Sequence, residues 1–275
     1  MKNSKKSDVS RGAVVFAFNT AVDYVAIADQ TSRLIAHNLQ LPVTLITDAD
    51  ADPKFAYDKI IRINNDPTSE NQRVDSEHTV TEWRNFGRYL AYELTPYDDT
   101  ILLDTDYLVL DSSLNTLFET DFDYRLMHHN RTPMGTDYEM MGPTSLPFVW
   151  ATVVLFRKTE KSRLFFNLVG RIQRHYHYYR LLYNIQDRNF RNDFAFAIAN
   201  TIVNGYNLNE SQGIPWPMFT INEKIVDIRA DGNILRVYHA DHATIMPYQN
   251  THIMDKEYLQ SKNFERMIGV ICESA

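Results

Sequence analysis

Two aspartates, Asp104 and Asp106, interrupt an apolar stretch that runs from Ile101 to Leu110. Charged carboxylates beside aliphatic side chains would cost several kcal/mol if nothing positive balanced them. A divalent cation meets this requirement, because hard oxygen ligands suit Mg²⁺ and Mn²⁺. An ion held in this way can also bridge the two phosphates of a nucleotide diphosphate and stabilise a departing group.

An Asp-x-Asp pair is weak evidence by itself. Three further pairs occur within residues 48–52 and 121–123, in polar or turn-like surroundings where solvated loops explain them. Only Asp104 and Asp106 lie between apolar segments. The alternative to a metal at this pair is an ion pair with Arg84 or Arg88.

Apolar strands and amphipathic helices alternate along the chain. Strands are predicted at residues 12–18, 43–47, 60–63, 100–103, 107–110, 148–156 and 234–239, and helices at 24–39, 79–94, 161–182 and 194–204, before an irregular C-terminal segment. This alternation predicts an α/β fold with a mainly parallel, Rossmann-like sheet and helices on both faces. Ligands bind such sheets at the carboxyl ends of the strands, where Asn19, Asp48, Asp104 and His239 are expected.

The stretch from Arg88 to Leu117-Phe118 resembles glycogenin and its bacterial galactosyltransferase relatives, glycosyltransferase family eight. A basic residue on a helix, an apolar strand, the Asp-x-Asp, a second apolar strand and Leu-Phe follow in the family's order. The likeness extends more loosely from Ala13 to about Tyr248. It implies the GT-A fold and metal-dependent transfer of a sugar from a nucleotide diphosphate sugar, with a UDP-sugar as the first candidate, to an acceptor hydroxyl.

The resemblance also implies roles for single residues. Asp104 would contact ribose and metal, Asp106 would bind the metal, and Arg88 would approach the diphosphate or sugar as a catalytic residue. The family's third metal ligand is a histidine after a late strand, and Val237-Tyr238-His239 is similar to that segment. This predicts His239 as the third ligand and favours Mn²⁺ over Mg²⁺, because imidazole suits the former.

The family's base pocket resembles Phe18-Asn19-Thr20 with Tyr24, and its sugar pocket resembles Asn192-Asp193-Phe194. Asp193 is therefore a candidate for hydroxyl binding or for the catalytic face. A strand cap at Asn19 and a helix cap at Asp193 are the ordinary alternatives. The residues expected to bind the nucleotide sugar are Phe18, Asn19, Thr20, Tyr24, Arg84, Arg88, Asp104 and Thr105.

Three positions depart from the family's pattern. Residues 150–152 replace its Asn-Ala-Gly, Phe194 replaces a glutamine, and Met246 replaces a lysine. Because of the first two departures, the sequence does not determine the donor sugar or the stereochemical outcome of transfer. The arginines that could take over the lost diphosphate contact are Arg84, Arg88 and Arg236.

Residues 163–191 form a basic, aromatic segment. Its six arginines and one acid give +5, so the rest of the chain carries −12 of the net charge of −7. This segment favours either a polyanionic acceptor, such as nucleic acid with modified bases in viral DNA, or ion pairs with the chain's own acidic surface or a subunit partner. The oligomeric state stays open.

The 275 residues are expected to form a single domain with a flexible tail at residues 1–11. One cysteine excludes a disulfide framework, and no apolar run approaches the roughly 18 to 20 residues of a membrane span, so a cytoplasmic location is expected. A sugar-phosphate nucleotidyltransferase is a competing function, although residues 17–20 lack the usual Gly-rich loop. A binding module without catalysis is the non-enzymatic alternative.

Overall fold

A computed structural model describes residues 9–64, 72–74, 80–82, 84–85, 87–133, 135, 146–207 and 213–273. Of residues 72–74 and 80–82 it describes the backbone. Residues 1–8 of the expected N-terminal tail lie outside the described residues, and so do positions 83 and 86 of the helix predicted at 79–94.

The strands follow one another along the whole described chain. In chain order they are β1 (Arg11–Phe16), β2 (Val43–Thr47), β3 (Lys59–Arg62), β4 (Gln72–Val74), β5 (Val80–Glu82), β6 (Asp99–Leu103), β7 (Tyr107–Leu108), β8 (Tyr124–Met127), β9 (Asn130–Arg131), β10 (Trp150–Arg157), β11 (Met218–Ile221), β12 (Asp227–Asp231), β13 (Ile234–Tyr238), β14 (Ala243–Pro247) and β15 (Thr251–Ile253).

The helices alternate with these strands. They are α1 (Tyr24–Leu39), α2 (Ala91–Leu94), α3 (Glu160–Arg174), α4 (Tyr176–Leu182), α5 (Asn192–Val203), α6 (Lys256–Leu259) and α7 (Lys262–Glu273), with 3-10 helices at Gly87–Leu90 and Ser113–Glu119.

The central sheet has six strands in the order β3-β2-β1-β6-β10-β8. Strands β3, β2, β1 and β6 run parallel, and β10 runs antiparallel to both of its neighbours. The chain leaves β1 toward β2 on one side and returns to β6 on the other, which makes the gap between β1 and β6 a topological switch point. Because β10 runs in the opposite direction, its first residues lie at the carboxyl ends of β1 and β6.

Both faces of this sheet are covered by helices, as predicted. Val14 and Phe16 of β1 belong to one hydrophobic cluster with residues of α3 and α5. Ala13 and Val15, which point to the other face, join a second cluster with residues of α1. Burial on both faces explains why the strands are continuous apolar runs rather than alternating ones.

Three smaller sheets complete the described strands. Strands β7, β15, β11 and β9 form one sheet, β12, β13 and β14 form an antiparallel sheet, and β4 pairs with β5. Among the described residues, no helix combines the length and the apolar character that crossing a bilayer requires.

Several predicted elements are wrong. The helix expected at 79–94 is replaced by β5, the 3-10 helix Gly87–Leu90 and the short α2, and the helix at 161–182 breaks at His175, whose ψ is 31°. The C-terminal segment is regular rather than irregular. Its α7 packs an apolar stripe, including Phe264 and Ile268, into a third cluster with Ile27 and Leu34 of α1.

A substitution at Gly12 tests how tightly the sheet packs. A Cβ at Gly12 would lie 2.3 Å from the buried ring of Tyr97, so we expect Gly12→Ala to lower the free energy of unfolding by about 1–3 kcal/mol. Gly269→Ala is the matched control, because its new Cβ meets nothing nearer than Glu273 at 4.0 Å and alanine is the better helix former. Urea denaturation measures both variants. Equal stability of Gly12→Ala and the parent protein would contradict this packing.

Candidate functional site

Asp104 and Asp106 lie at the carboxyl end of β6, where the chain leaves the central sheet. The backbone N–H of Asp104 donates to Thr152 O of β10 at 3.0 Å. Directly after Asp106, β7 pairs antiparallel with β15, with Tyr107 opposite His252. The aspartates therefore occupy the bend between the central sheet and a second sheet.

A cleft of about 290 Å³ opens at this bend, a size close to the lower limit of roughly 300 Å³ for small-molecule sites. Its lining is Phe16, Phe18, Thr20, Tyr24, Arg84, Asn85, Arg88, Asp104, Thr105, Asp106, Trp150, Ala151, Thr152, Arg191, Asn192, Asp193, His252, Met254 and Lys256. Four cationic side chains line the cleft beside three carboxylates, and Asp48 pairs with Arg84 from behind the lining. The charges therefore balance, and an anionic ligand would bind by competing for these cations.

Asp104 is neutralised by Arg88. The guanidinium, whose side chain is 1% exposed, donates to Asp104 Oδ1 and to the carbonyl oxygen of Ala151. Burial raises the pKa of Asp104, Arg88 opposes that shift and Asp106 adds to it. The ion pair with Arg88, one of the two alternatives to a metal, is thus present at this carboxylate.

Asp106 has a different set of partners. Lys256 Nζ donates to its Oδ2, and His252 Nε2 lies 3.5 Å from the same oxygen. Burial acts to raise the pKa of Asp106, but Lys256 and His252 outweigh it and hold the pKa below its ordinary value. The other oxygen, Oδ1, is buried and has no hydrogen-bond partner.

Hydrogen bonds behind His252 fix its ring. Thr220 Oγ1 donates to Asn130 Oδ1 at 2.7 Å and lies 3.2 Å from His252 Nδ1. Since the Thr220 hydroxyl has donated its proton, it accepts from Nδ1–H. Nε2 can then serve the site in two ways: the protonated ring donates Nε2–H to Asp106 Oδ2, which lowers the pKa of Asp106, and the neutral ring offers an Nε2 lone pair to a metal ion.

These donors suit a divalent metal ion. Bond lengths near 2.1 Å place neighbouring ligands roughly 3.0–3.4 Å apart, close to the 3.5 Å between Asp106 Oδ2 and His252 Nε2. The unpartnered Oδ1 of Asp106 offers a further oxygen. Asp104, whose carboxylate faces Arg88, does not gather with the other two into a three-donor cluster in this conformation.

The predicted third ligand, His239, is wrong for this site. It follows β13 in the three-stranded antiparallel sheet, its Nδ1 lies 2.8 Å from Lys224 O, and it does not line the cleft. The cleft's histidine is His252, because β15 rather than β13 pairs with the strand after Asp106. Lys256, four residues after His252, adds a cation to the same part of the cleft.

Three of the four site residues predicted after β1 line the cleft, and one does not. Phe18, Thr20 and Tyr24 line the cleft, as does Thr105 after β6. Asn19 does not: it is exposed, and its Oδ1 accepts from Val25 N at 2.9 Å, which corresponds to the capping alternative.

Two further predicted residues lie in the cleft wall. Arg84 lines the cleft and pairs with Asp48 at 3.1 Å. Asp193, in the first turn of α5, accepts from Ala151 N at 2.9 Å and pairs with Arg191 at 2.9 Å. Of the predicted site residues, the structure thus brings all but Asn19 and His239 together.

The basic segment is partly neutralised from within the chain. Arg163 pairs with Glu160 at 2.6 Å, and Arg191 pairs with Asp193. On α4, Tyr178, Leu181 and Leu182 are exposed. Both predicted roles of the segment, an acceptor surface and a self-paired surface, therefore keep support.

Comparison with solved structures places the fold among glycosyltransferases. The galactosyltransferase LgtC, solved with donor and acceptor sugar analogues, matches with a TM-score of 0.50 and 14% identity over 96% of this chain and 95% of that chain. An active-site mutant of LgtC gives the same values. The glycosyltransferase GlyE of Streptococcus pneumoniae TIGR4 matches with a TM-score of 0.38 and 14% identity over 74% of this chain, which spans 45% of GlyE.

At these identities the likeness to LgtC concerns the fold: an α/β protein with a mainly parallel sheet flanked by helices. A comparison of the sequence with protein-family models finds no match, and a comparison with curated proteins finds none either.

A double-mutant cycle tests the Arg88–Asp104 ion pair. Arg88→Met leaves a charged Asp104 and an unsatisfied Ala151 carbonyl, so we expect the free energy of unfolding to fall by about 3–5 kcal/mol. Adding Asp104→Asn removes the unpaired charge and restores at least about 1 kcal/mol, as coupled neighbours do. Urea denaturation of the parent, both single variants and the double variant gives the coupling energy. Strictly additive losses would contradict the ion pair.

Proposed function

We propose that this protein is a metal-dependent glycosyltransferase that moves a sugar from a nucleotide diphosphate sugar, with a UDP-sugar as the first candidate, to an acceptor hydroxyl. The observation that carries the proposal is the pair Asp104 and Asp106 at the switch point of the sheet, in a cleft lined by four cationic side chains. The order of motifs around this pair supports a place beside glycosyltransferase family eight.

Asp104, Asp106 and His252 are the residues that would hold Mn²⁺ or Mg²⁺. When bound, such an ion supplies Lewis acidity to the diphosphate leaving group. Arg88 and Lys256 serve the same region, because each already neutralises one of the aspartates. A diphosphate that enters the cleft meets both cations, and Arg84 lies on the same wall.

The nucleoside end of the donor is assigned to the residues after β1. Phe18 and Tyr24 offer aromatic rings to a planar base, and the Thr20 hydroxyl offers a donor and an acceptor for its edge or for the ribose. Thr105 lies between the two aspartates, where it borders the ribose and the diphosphate in this assignment.

The sugar end is assigned to the wall opposite the aspartates. Both Asp193 oxygens are engaged, one by Ala151 N and one by Arg191. Each carboxylate oxygen keeps a second lone pair that can accept from a sugar hydroxyl. Arg88, held by the Ala151 carbonyl, would then be fixed near the bond that breaks, and this is its proposed catalytic role.

We assign the acceptor to the protein surface next to this wall. Tyr176 of α4 packs against Phe194 of α5, so α4 continues from the wall of the cleft. Its exposed Tyr178 and the neighbouring arginines suit a polyanion such as nucleic acid, which makes glycosylation of modified DNA bases the second candidate for the acceptor.

A panel of nucleotide sugars with Mn²⁺ tests the proposal. We expect one donor to give nucleoside diphosphate, and Asp106→Asn or His252→Ala to lower that rate by about 100-fold or more, since several kcal/mol of leaving-group stabilisation are removed. His37→Ala is the matched control and keeps the parent rate, because His37 lies in the last turn of α1 and does not line the cleft.

The products separate the alternatives. Release of pyrophosphate from a nucleoside triphosphate and a sugar phosphate would replace the proposal with a nucleotidyltransferase. Binding of a donor without any turnover, with or without candidate acceptors, would replace it with a binding module.

A further inference from the structure

A second group of metal-binding side chains lies outside the cleft. Glu223 follows β11, His239 follows β13 and His242 precedes β14, and one donor atom from each lies within 4.8 Å of the other two. In the part of the chain that the structure describes, these three form such a cluster and the cleft residues do not. None of the three lines the cleft.

Both imidazole rings are oriented for metal binding. His239 Nδ1 lies 2.8 Å from the carbonyl oxygen of Lys224, and His242 Nδ1 lies 2.8 Å from Asp241 Oδ1. Because these oxygens only accept, each Nδ1 carries a proton, and in the neutral rings each Nε2 keeps a lone pair. The lone pair of His239 faces the Thr244 hydroxyl at 3.4 Å, which a bound ion would displace. When one ring nitrogen of a histidine binds a metal, the other usually donates to a carbonyl or carboxylate oxygen, as in these two rings.

The distances fit a small transition-metal ion. His242 Nε2 lies 3.4 Å from Glu223 Oε2, and tetrahedral zinc with bonds near 2.0–2.1 Å spaces its ligands by roughly 3.3 Å. The two rings stack with centroids 4.4 Å apart and planes 19° apart, so one ring has to turn about its side-chain bonds before both ring planes point to one ion. Nothing within this cluster is cationic, in contrast to the lysine and arginine at the cleft aspartates.

We propose that Glu223, His239 and His242 bind one transition-metal ion, with Zn²⁺ as the best-suited ion. Two imidazoles and one carboxylate are a ligand set that zinc accepts, with a fourth position open to water. The exposure of Glu223 and His242 gives the ion a path from solvent.

The bound ion has a structural role. It ties the turn between β13 and β14 to the loop between β11 and β12. Ile225 of this loop donates its backbone N–H to Asp255, which follows β15, at 2.8 Å. Asp255 precedes Lys256 of the cleft. The ion would therefore stiffen a loop that supports the cleft without contacting it, and the inference does not depend on the proposed function.

Zinc binding by the tag-free full-length chain tests the site. After treatment with a chelator and its removal, an Asp106→Asn, His252→Ala chain, which lacks the cleft ligands and serves as the parent in this experiment, is titrated calorimetrically with ZnCl₂. We expect one site that His242→Ala and Glu223→Gln each abolish. Asp241→Asn, which weakens the orientation of the His242 ring, is expected to lower the affinity by roughly tenfold. Zinc should raise the Tm of the parent protein and leave that of His242→Ala unchanged.

Two controls keep the outcome specific. His177→Ala removes an exposed histidine elsewhere and is expected to keep the parent stoichiometry and affinity for zinc. Circular dichroism verifies that every variant is folded. A parent chain that binds no zinc, or zinc binding that persists in folded His242→Ala and Glu223→Gln, would overturn the proposal.

Discussion

Charge neutralisation at the end of β6 is the interaction on which the site depends. Asp104 and Asp106 are placed where an apolar strand ends, and the pKa of Asp104 is raised because burial disfavours its charged form. Arg88 and Lys256 make the two charges tolerable by pairing with one aspartate each. Without these cations, the strand would present uncompensated carboxylates to its own hydrophobic core.

The same ion pairs connect distant parts of the chain. Arg88 joins its 3-10 helix to β10 through the carbonyl of Ala151, and Asp193 joins α5 to β10 through the N–H of the same residue. Lys256 joins α6 to the bend after β6. Charged groups thus connect the cleft walls. A ligand that competes for one cation weakens an ion pair between two elements and so affects both of them. A diphosphate is a ligand of this kind.

The central sheet and the acidic pair could be predicted from the sequence, whereas the histidine of the cleft could not. Helix α1 and strand β2 were predicted with their observed bounds, because burial on both faces of the sheet leaves strong apolar and helical patterns. His239 follows one late strand and His252 lies within another, and local patterns do not reveal which strand pairs with β7. Strand β15 has only three residues, Thr-His-Ile, so it leaves no recognisable apolar pattern in the sequence.

The prediction of a helix at 79–94 is wrong for a related reason. Apolar residues spaced by three and four indicate a helix, but the same spacing also occurs where a short strand is followed by tight turns. Here β5 has three residues and α2 has four. The pairing of Asp104 with Arg88 was foreseen as an alternative to a metal, whereas Lys256 was missed because it lies 150 residues from Asp106. Contacts of this separation come from the fold and not from local sequence.

Titration of Mn²⁺ followed by electron paramagnetic resonance, with and without UDP, tests the central claim most directly. A His242→Ala background removes the second candidate metal site, so the free Mn²⁺ signal reports on the cleft. We expect protein and UDP together to deplete this signal well beyond the sum of either alone, because Asp106, His252 and the diphosphate would share one ion. A signal that protein and UDP deplete only additively, or UDP binding that is equally tight in the presence of a chelator, would contradict a metal-bridged diphosphate site at Asp104 and Asp106.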